Sequence, residues 1–168
     1  MEIVVNDTNI FIDLFQIGFL DEFFRLPFEV HTLDFVVNEL KDENQRSAVK
    51  KFIDSGALTL KKTNPEELVE ILNLQNSTPG NLSTIDCAVW RYAKVNGYTL
   101  LTGDRQLRNR AIDSGVTVRG ILYVFDELVE RHIITATCAI EKLKELVRIN
   151  TRLPRELTEE RIERWKLI

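Results

Sequence analysis

Short apolar, β-branched runs alternate with longer segments of helical periodicity through the first 130 or so residues of this chain. Such runs, each closed by a turn residue or a helix cap, are typical of buried strands. They lie at residues 3–5, 28–33, 57–60, 98–101 and 116–118. Strands separated by helices predict the α/β class, with a parallel sheet covered by helices on both faces.

The helices between these strands are bounded by capping residues. Asn64-Pro65 opens one helix and Ser83 caps another, whereas Gly56, Gly97 and Gly115 each follow a helix as termination residues. The predicted helices cover residues 9–26, 34–41, 45–55, 65–75, 83–96, 104–114 and 121–131, and the clearest loop spans residues 76–81. The sequence therefore predicts an α/β/α core over residues 1–134.

Residues 135–168 are predicted to form a helical C-terminal extension. One apolar stripe at helical spacing contains Ala139, Ile140, Leu143, Leu146 and Val147. After Pro154, Thr158 is expected to cap a last helix that carries Trp165 on its apolar face. This much apolar surface predicts that the extension packs on the core or on a second copy of the chain.

Composition excludes several classes of protein. No apolar run approaches the length of a membrane span, so we expect no membrane partner. Cys87 and Cys138 cannot build a metal finger or a disulfide framework, and a reduced, cytoplasmic setting is expected. A net charge of −4 argues against a DNA-coating protein.

Four acidic residues occupy positions that a parallel sheet would bring together. Asp7 ends the first strand, and Asp104 follows the fourth. Asp86 lies in the first turn of the helix that feeds the fourth strand, and Glu39 lies late in the helix after the second. Because the carboxyl ends of parallel strands share an edge, Asp7, Asp86 and Asp104 should converge there. Carboxylate oxygens suit Mg²⁺ or Mn²⁺, so the pattern predicts a site for one or two such ions.

Each acid also has a purely structural interpretation. Asp7 and Asp104 each precede a helix and could be its N-cap, and Asp86 could form a capping box with Ser83. Glu39 could simply be solvated. Convergence favours the metal site, because like charges gathered at one edge repel one another unless a cation holds them.

Other chemistries have less support. A haloacid dehalogenase phosphatase needs a second Asp where this chain has Asn9, and a response-regulator receiver needs a phosphorylatable Asp after its third strand. His31 and His132 have no triad-like context, and Cys87 is predicted to be a core residue. Asp13 and Asp34 are predicted to be surface or cap residues.

With these residues in place, the chain resembles the PIN domain family over roughly residues 1–130. Four motifs in order carry the resemblance: Val5-Asn6-Asp7-Thr8-Asn9, Val37-Asn38-Glu39-Leu40, Ser83-Thr84-Ile85-Asp86-Cys87-Ala88 and Leu101-Thr102-Gly103-Asp104. Gly103 stands where the family often has Asn, Asp or Arg, and the extension is longer than in minimal VapC-type toxins. The resemblance implies a five-stranded sheet ordered 3-2-1-4-5 and metal-dependent hydrolysis of RNA. It also implies a homodimer and, in many members, the toxin half of a VapBC-type pair with an antitoxin partner.

The resulting hypothesis is a ribonuclease in which Asp7, Asp86 and Asp104 are metal ligands and Glu39 is a ligand or orients water. Thr8 and Thr102 are expected to hydrogen-bond the carboxylates. Arg105, Arg108 and Arg110 are expected to contact the RNA backbone. The alternative is a degenerate PIN module that binds RNA or a protein without cutting. A nuclease of the flap-endonuclease type is a third possibility, but it would need more acidic residues and a helical arch.

Overall fold

A computed structural model describes all 168 residues and contains one five-stranded parallel sheet. Its strands are β1 (Glu2–Asn6), β2 (Phe28–Leu33), β3 (Leu58–Lys61), β4 (Thr99–Leu101) and β5 (Val118–Arg119). They are arranged in the order β3-β2-β1-β4-β5, and every neighbouring pair is parallel. The predicted fold class and strand order are both confirmed.

Ten helices surround the sheet. Those of the core are α1 (Thr8–Gln16), α2 (Leu20–Phe24), α3 (Asp34–Glu39), α4 (Glu43–Asp54), α5 (Pro65–Ser77), α6 (Thr84–Asn96), α7 (Arg105–Asp113) and α8 (Ile121–Glu130). The extension forms α9 (Ala136–Ile149) and α10 (Arg155–Trp165). No helix is both long enough and apolar enough to cross a membrane.

Two helix predictions were wrong. The single helix expected over residues 9–26 is broken, because Gly18 has φ of 72°, a left-handed conformation that ends α1 before α2 begins. Thr158 does not cap the last helix, which begins three residues earlier. Thr158 is buried within α10 and donates its hydroxyl proton to the Pro154 carbonyl at 2.9 Å.

Both faces of the sheet are covered. On one face, His31 of β2 hydrogen-bonds Tyr92 of α6. On the other, Glu2 of β1 accepts a hydrogen bond from Tyr123 of α8. The centre of the sheet is inaccessible to solvent, since Val4 and Val5 of β1 are fully buried. Burial of these strands from both sides explains why they are so uniformly apolar.

The strand order creates a switch point between β1 and β4. From β1 the chain moves through β2 to the β3 edge, and after β4 it moves outward in the opposite direction to β5. With right-handed crossovers, the helices that follow β1 and β4 leave from opposite faces of the sheet. A crevice forms where neighbouring strands diverge in this way, and ligand sites of open α/β sheets lie at it.

The extension packs on the core. Ala139, Leu143 and Leu146 of α9 are fully buried, and Trp165 of α10 is only 3% exposed. Of the predicted stripe, Val147 is exposed and Ile140 is half-buried. The buried residues belong to the same hydrophobic cluster as the core, so core and extension share one interior.

Candidate active site

Asp7 is held rigidly at the end of β1. Its Oδ1 accepts from the Thr8 N–H at 2.7 Å, which caps α1, and its Oδ2 accepts from the Thr102 hydroxyl at 2.8 Å. The side chain is nearly inaccessible, at 3% residue exposure, and forms no ion pair. Burial raises the pKa of Asp7 to about 6, and the charges of Asp86 and Glu39 push that pKa in the same direction.

Asp104 shares the Thr102 hydroxyl with Asp7. The Asp104 N–H donates to Thr102 Oγ1 at 3.1 Å, while that hydroxyl donates to Asp7. Asp104 also caps α7, because its Oδ1 accepts from the Leu107 N–H at 2.7 Å. The ends of β1 and β4 are therefore joined through one buried threonine, which supports the predicted role of Thr102 beside the carboxylates.

Glu39 is the last residue of α3, and it is tied to the end of β1. The Thr8 hydroxyl donates to Glu39 Oε2 at 2.5 Å. Thr8 thus contacts two of the four acids, through its backbone N–H to Asp7 and through its hydroxyl to Glu39. This bond brings Glu39 beside the end of β1, a position that the sequence determines less well than those of the other three acids.

Asp86 reaches the same edge from the first turn of α6. It forms a capping box with Ser83, in which Asp86 Oδ2 accepts from the Ser83 N–H at 2.8 Å. Burial raises the pKa of Asp86, and the charges of Asp104 and Glu39 raise it further. Asp86 therefore lies near enough to Asp7, Glu39 and Asp104 for their charges to influence one another.

Three of the four acids keep one carboxylate oxygen without a hydrogen bond, whereas both oxygens of Asp7 are engaged. Capping engages only one oxygen of Asp86 and one of Asp104, and Thr8 engages only one oxygen of Glu39. None of the four is paired with a Lys, Arg or His side chain. Hard, uncompensated oxygens of this kind fit a divalent cation. In this structure, however, no three acidic, His or Cys side chains are close enough together to surround one ion.

The three arginines predicted to contact RNA do not all lie at the same place in the structure. Arg105 and Arg108 line a cavity of about 550 Å³ that begins at Thr102 and Gly103, beside the carboxylates. Arg110 points elsewhere and donates to the Pro79 carbonyl at 2.8 Å. Arg110 therefore stiffens the loop before α6 and does not line the cavity.

The prediction that Asp13 is a surface or cap residue was wrong. Asp13 is 5% exposed and accepts two hydrogen bonds from the Asn150 side chain, at 3.0 and 3.2 Å. Burial raises its pKa to about 6. A signal was available in the sequence, because Asp13 falls on the buried stripe of α1 between Ile10 and Ile17.

The remaining candidates have structural roles. Asp34 accepts from the N–H and the hydroxyl of Thr63 and does not contact the four acids. Cys87 is buried, and burial raises the pKa of its thiol to about 11, which disfavours the nucleophilic thiolate. His31 lies between Tyr92 and Glu29.

Comparisons with known proteins agree with this architecture. A family model described as a PIN domain matches residues 3–167. Among solved structures, the chain is similar to PAE2754 from Pyrobaculum aerophilum, with 16% identity, a TM-score of 0.54, and coverage of 77% of this chain and 98% of that one. At this identity the likeness concerns the fold alone.

Two further solved structures are more distant. VapBC2 from Rickettsia felis, bound to a DNA fragment from its promoter, has 14% identity and a TM-score of 0.49, over 70% of this chain and 98% of that one. FitAcB from Neisseria gonorrhoeae has 14% identity and a TM-score of 0.42, over 68% of this chain and 95% of that one. No curated protein sequence matches significantly.

Proposed function

This chain belongs to the PIN domain family, whose members are generally nucleases, and on that premise we propose that it is a Mg²⁺- or Mn²⁺-dependent ribonuclease. The observation that carries the proposal is the set of four mutually repelling carboxylates at the β1–β4 switch point. They are Asp7, Glu39, Asp86 and Asp104, and no basic side chain of the protein neutralises them.

In this proposal Asp7, Asp86 and Asp104 would hold the metal, with the side chains of Asp86 and Asp104 drawn in toward the cation from the positions described above. Glu39 would be a further ligand or would orient the attacking water. A divalent ion supplies Lewis-acid chemistry, lowering the pKa of water and neutralising charge on a phosphodiester. Thr102 and the Thr8 N–H fix both oxygens of Asp7, so that this carboxylate cannot turn away. The free Oε1 of Glu39 is placed to accept a hydrogen bond or a proton from water.

Arg105 and Arg108 are proposed to contact the phosphate backbone, since both line the cavity beside the carboxylates. The substrate is proposed to be single-stranded or looped RNA, since an unpaired strand can follow a polar rim such as the one after α5. Hydrolysis would leave a 5′-phosphate and a 3′-hydroxyl, because this mechanism does not use the 2′-hydroxyl as nucleophile.

The test replaces each acid by the isosteric amide. Asp7→Asn, Asp86→Asn and Asp104→Asn should each lower cleavage of labelled single-stranded RNA by about a hundredfold or more, as expected when a charge that binds or acts in the site is lost. Folding should be spared, because Asn caps a helix about as well as Asp. Wild-type melting temperature should rise with Mn²⁺, and the variants should lose that rise.

Asp42→Asn is the matched control. Asp42 caps α4 by accepting from the Gln45 N–H at 2.9 Å, as Asp104 caps α7, but it is exposed. This variant should cleave like the wild type. Cleavage that persists in chelator, or products ending in a 2′,3′-cyclic phosphate, would refute the metal mechanism. RNA binding without any cleavage would establish the degenerate module instead.

The partners implied by the family resemblance, an antitoxin protein and a second copy of the chain, remain predictions. If the chain is a toxin, expressing it without its partner should slow growth of the host. The Asp104→Asn variant should not, because growth arrest would depend on cleavage. If the wild type and Asp104→Asn arrested growth equally, the chain would act by binding and not by cleavage.

A further inference from the structure

The cavity of about 550 Å³ is built jointly by the core and the extension. Its core wall comes from the ends of β4 and β5, the first turn of α7, and α8. Its opposite wall comes from residues 150–154 and from α10. The PIN-like core alone would leave this side open, so the extension creates the enclosure.

Four arginines that line this cavity have no partner in the protein. The side chains of Arg105, Arg108, Arg119 and Arg152 form no hydrogen bond or ion pair, although Arg119 lies over the Tyr123 ring at 5.4 Å. Guanidinium groups gathered without counter-charge repel one another, and a phosphate is the ligand that their fork geometry fits best.

The acids of the cavity do not supply the missing counter-charge. Asp126 is already held by Arg161 at 2.8 Å and by Arg164 at 2.5 Å. Asp13 accepts two hydrogen bonds from the Asn150 amide and forms no ion pair. Burial raises the pKa of Asp13, and the charge of Arg152 acts in the opposite direction, but one carboxylate does not balance four guanidinium groups. In a chain of net charge −4, this is a concentrated site for an anion.

The cavity also has an apolar part. Its lining includes Leu153, Pro154 and Leu157 of the extension and Ile121 and Leu122 of α8. Its volume lies within the range of small-ligand pockets. A cationic rim beside an apolar wall matches the two halves of a nucleotide, the phosphate and the base.

The cavity adjoins the proposed catalytic carboxylates. Thr102 lines it, and the hydroxyl of Thr102 donates to Asp7. We propose that this cavity is a nucleotide subsite that holds the residue of the RNA strand next to the bond being cut. Arg119 and Arg152 bind its phosphate, and the apolar wall from the extension receives its base. The inference rests on the proposed ribonuclease function.

The experiment measures RNA binding separately from cleavage. Full-length protein in chelator is titrated into a fluorescein-labelled single-stranded oligoribonucleotide, and anisotropy gives Kd over a range of salt concentrations. Arg152→Gln should weaken binding about tenfold, as expected when a charged hydrogen bond is lost. The salt slope of log K should become shallower by about 0.7, the value for one lost contact to a single strand.

Arg148→Gln is the matched control. Arg148 lies on the same extension, is exposed and unpaired, and does not line the cavity. Its substitution removes the same charge, so it should leave Kd and the salt slope near those of the wild type. If Arg148→Gln and Arg152→Gln had equal effects, RNA binding would depend on the overall charge of the protein and not on this cavity, and the inference would be overturned.

A competition experiment distinguishes a cavity that binds an RNA strand from one that binds a free nucleotide. Adenosine monophosphate should displace the labelled RNA only weakly, because it makes one phosphate contact. If the wild type binds this nucleotide tightly, Arg152→Gln abolishes that binding and RNA affinity is unaltered, the cavity is an effector site and the strand assignment is wrong.

Failure of the subsite and failure of the catalytic proposal give different results. A wild type that never cleaves, but whose RNA affinity falls in Arg152→Gln, refutes the nuclease and supports the cavity as an RNA-binding site. An active wild type with identical Kd and KM in Arg152→Gln and Arg148→Gln refutes the subsite and leaves the nuclease in place.

Discussion

At the scale of single residues, two of the proposed metal ligands also cap helices. Asp104 caps α7 with one oxygen and keeps the other free, and Asp86 does the same at α6. The capping interpretation of the sequence was therefore correct for these residues without excluding a metal role. A position that ends a strand and begins a helix favours Asp for both reasons.

Asp13 allows a test of buried charge away from the four acids. Its pKa is raised by burial from its ordinary value to about 6 in the folded protein. Between those two values the folded state binds a proton that the unfolded state does not, so stability from this group is present at low pH and is lost as pH rises through about 6. A shift of this size corresponds to roughly 3 kcal/mol of stability.

Asp13→Asn should remove that loss. The variant should unfold at higher urea concentration than the wild type at about pH 7.5. Its advantage should be smaller at about pH 4.5 and should vanish only below 3.8, the ordinary pKa of an Asp. The Asn150 amide can still donate to the new side-chain carbonyl. Asp42→Asn, at an exposed cap, should follow the wild type at both pH values. If stability changed with pH equally in the wild type and in Asp13→Asn, the pKa of the Asp13 carboxyl would not be raised in the folded protein.

The sequence could predict site residues that adjoin a strand end, and it could not predict those brought in by packing. Asp7 and Asp104 were predictable because parallel strands share an edge. Arg119 and Arg152 were not, because only tertiary packing of the extension on the core brings both of them to the lining of one cavity. No local pattern encodes the path of residues 150–154 over the core.

At the scale of elements, capping chemistry predicted helix ends well. Asn64 and Glu67 form the capping box that opens α5, and Gly97, with φ of 70°, ends α6 as expected. The failure at Gly18 has a physical reason. The apolar periodicity continues through Phe19 and Leu20, which are buried, so a pattern argument extends the helix past the break.

Gly18→Ala should therefore destabilise the protein. Gly18 has φ of 72°, and an added Cβ would meet nothing within 4 Å, so the cost is one of backbone conformation alone. We expect a loss of about 1 kcal/mol in the free energy of unfolding, measured by urea denaturation. Gly103→Ala is the control, because Gly103 lacks a left-handed φ and its Cβ would make an ordinary contact at 3.9 Å. Equal stability of the two variants would contradict this account.

At the scale of the whole molecule, sequence periodicity predicted a parallel sheet covered by helices. The order of the strands in that sheet was predicted from the family resemblance. Alternating strands and helices imply a parallel sheet, but many strand orders satisfy that pattern. The order 3-2-1-4-5 followed from four motifs, and the structure confirms it. The stripe on α9 indicated packing without naming its partner surface, and the structure places its buried residues in the core of the same chain.

Trp165 tests whether the extension is integral to that core. Its ring lies 6.1 Å from Phe125 of α8, and Arg161 and Arg164 fix α10 to Asp126. Truncating so large a buried side chain typically costs about 3–5 kcal/mol, and Trp165→Ala should lose that much in chemical denaturation. Leu167→Ala, 85% exposed in the wild type, should change stability by less than about 0.5 kcal/mol.

The same variants bear on assembly and on the nucleotide subsite. If the extension packs only within its own chain, the unfolding midpoint of Trp165→Ala should be independent of protein concentration, whereas an interface between copies would make it rise with concentration. Light scattering at tens of micromolar measures the predicted homodimer directly. Loosening α10 also removes one wall of the cavity, so Trp165→Ala should weaken RNA binding while it is still folded. Destabilisation with unaltered RNA affinity would separate the extension's structural role from any part in holding the strand.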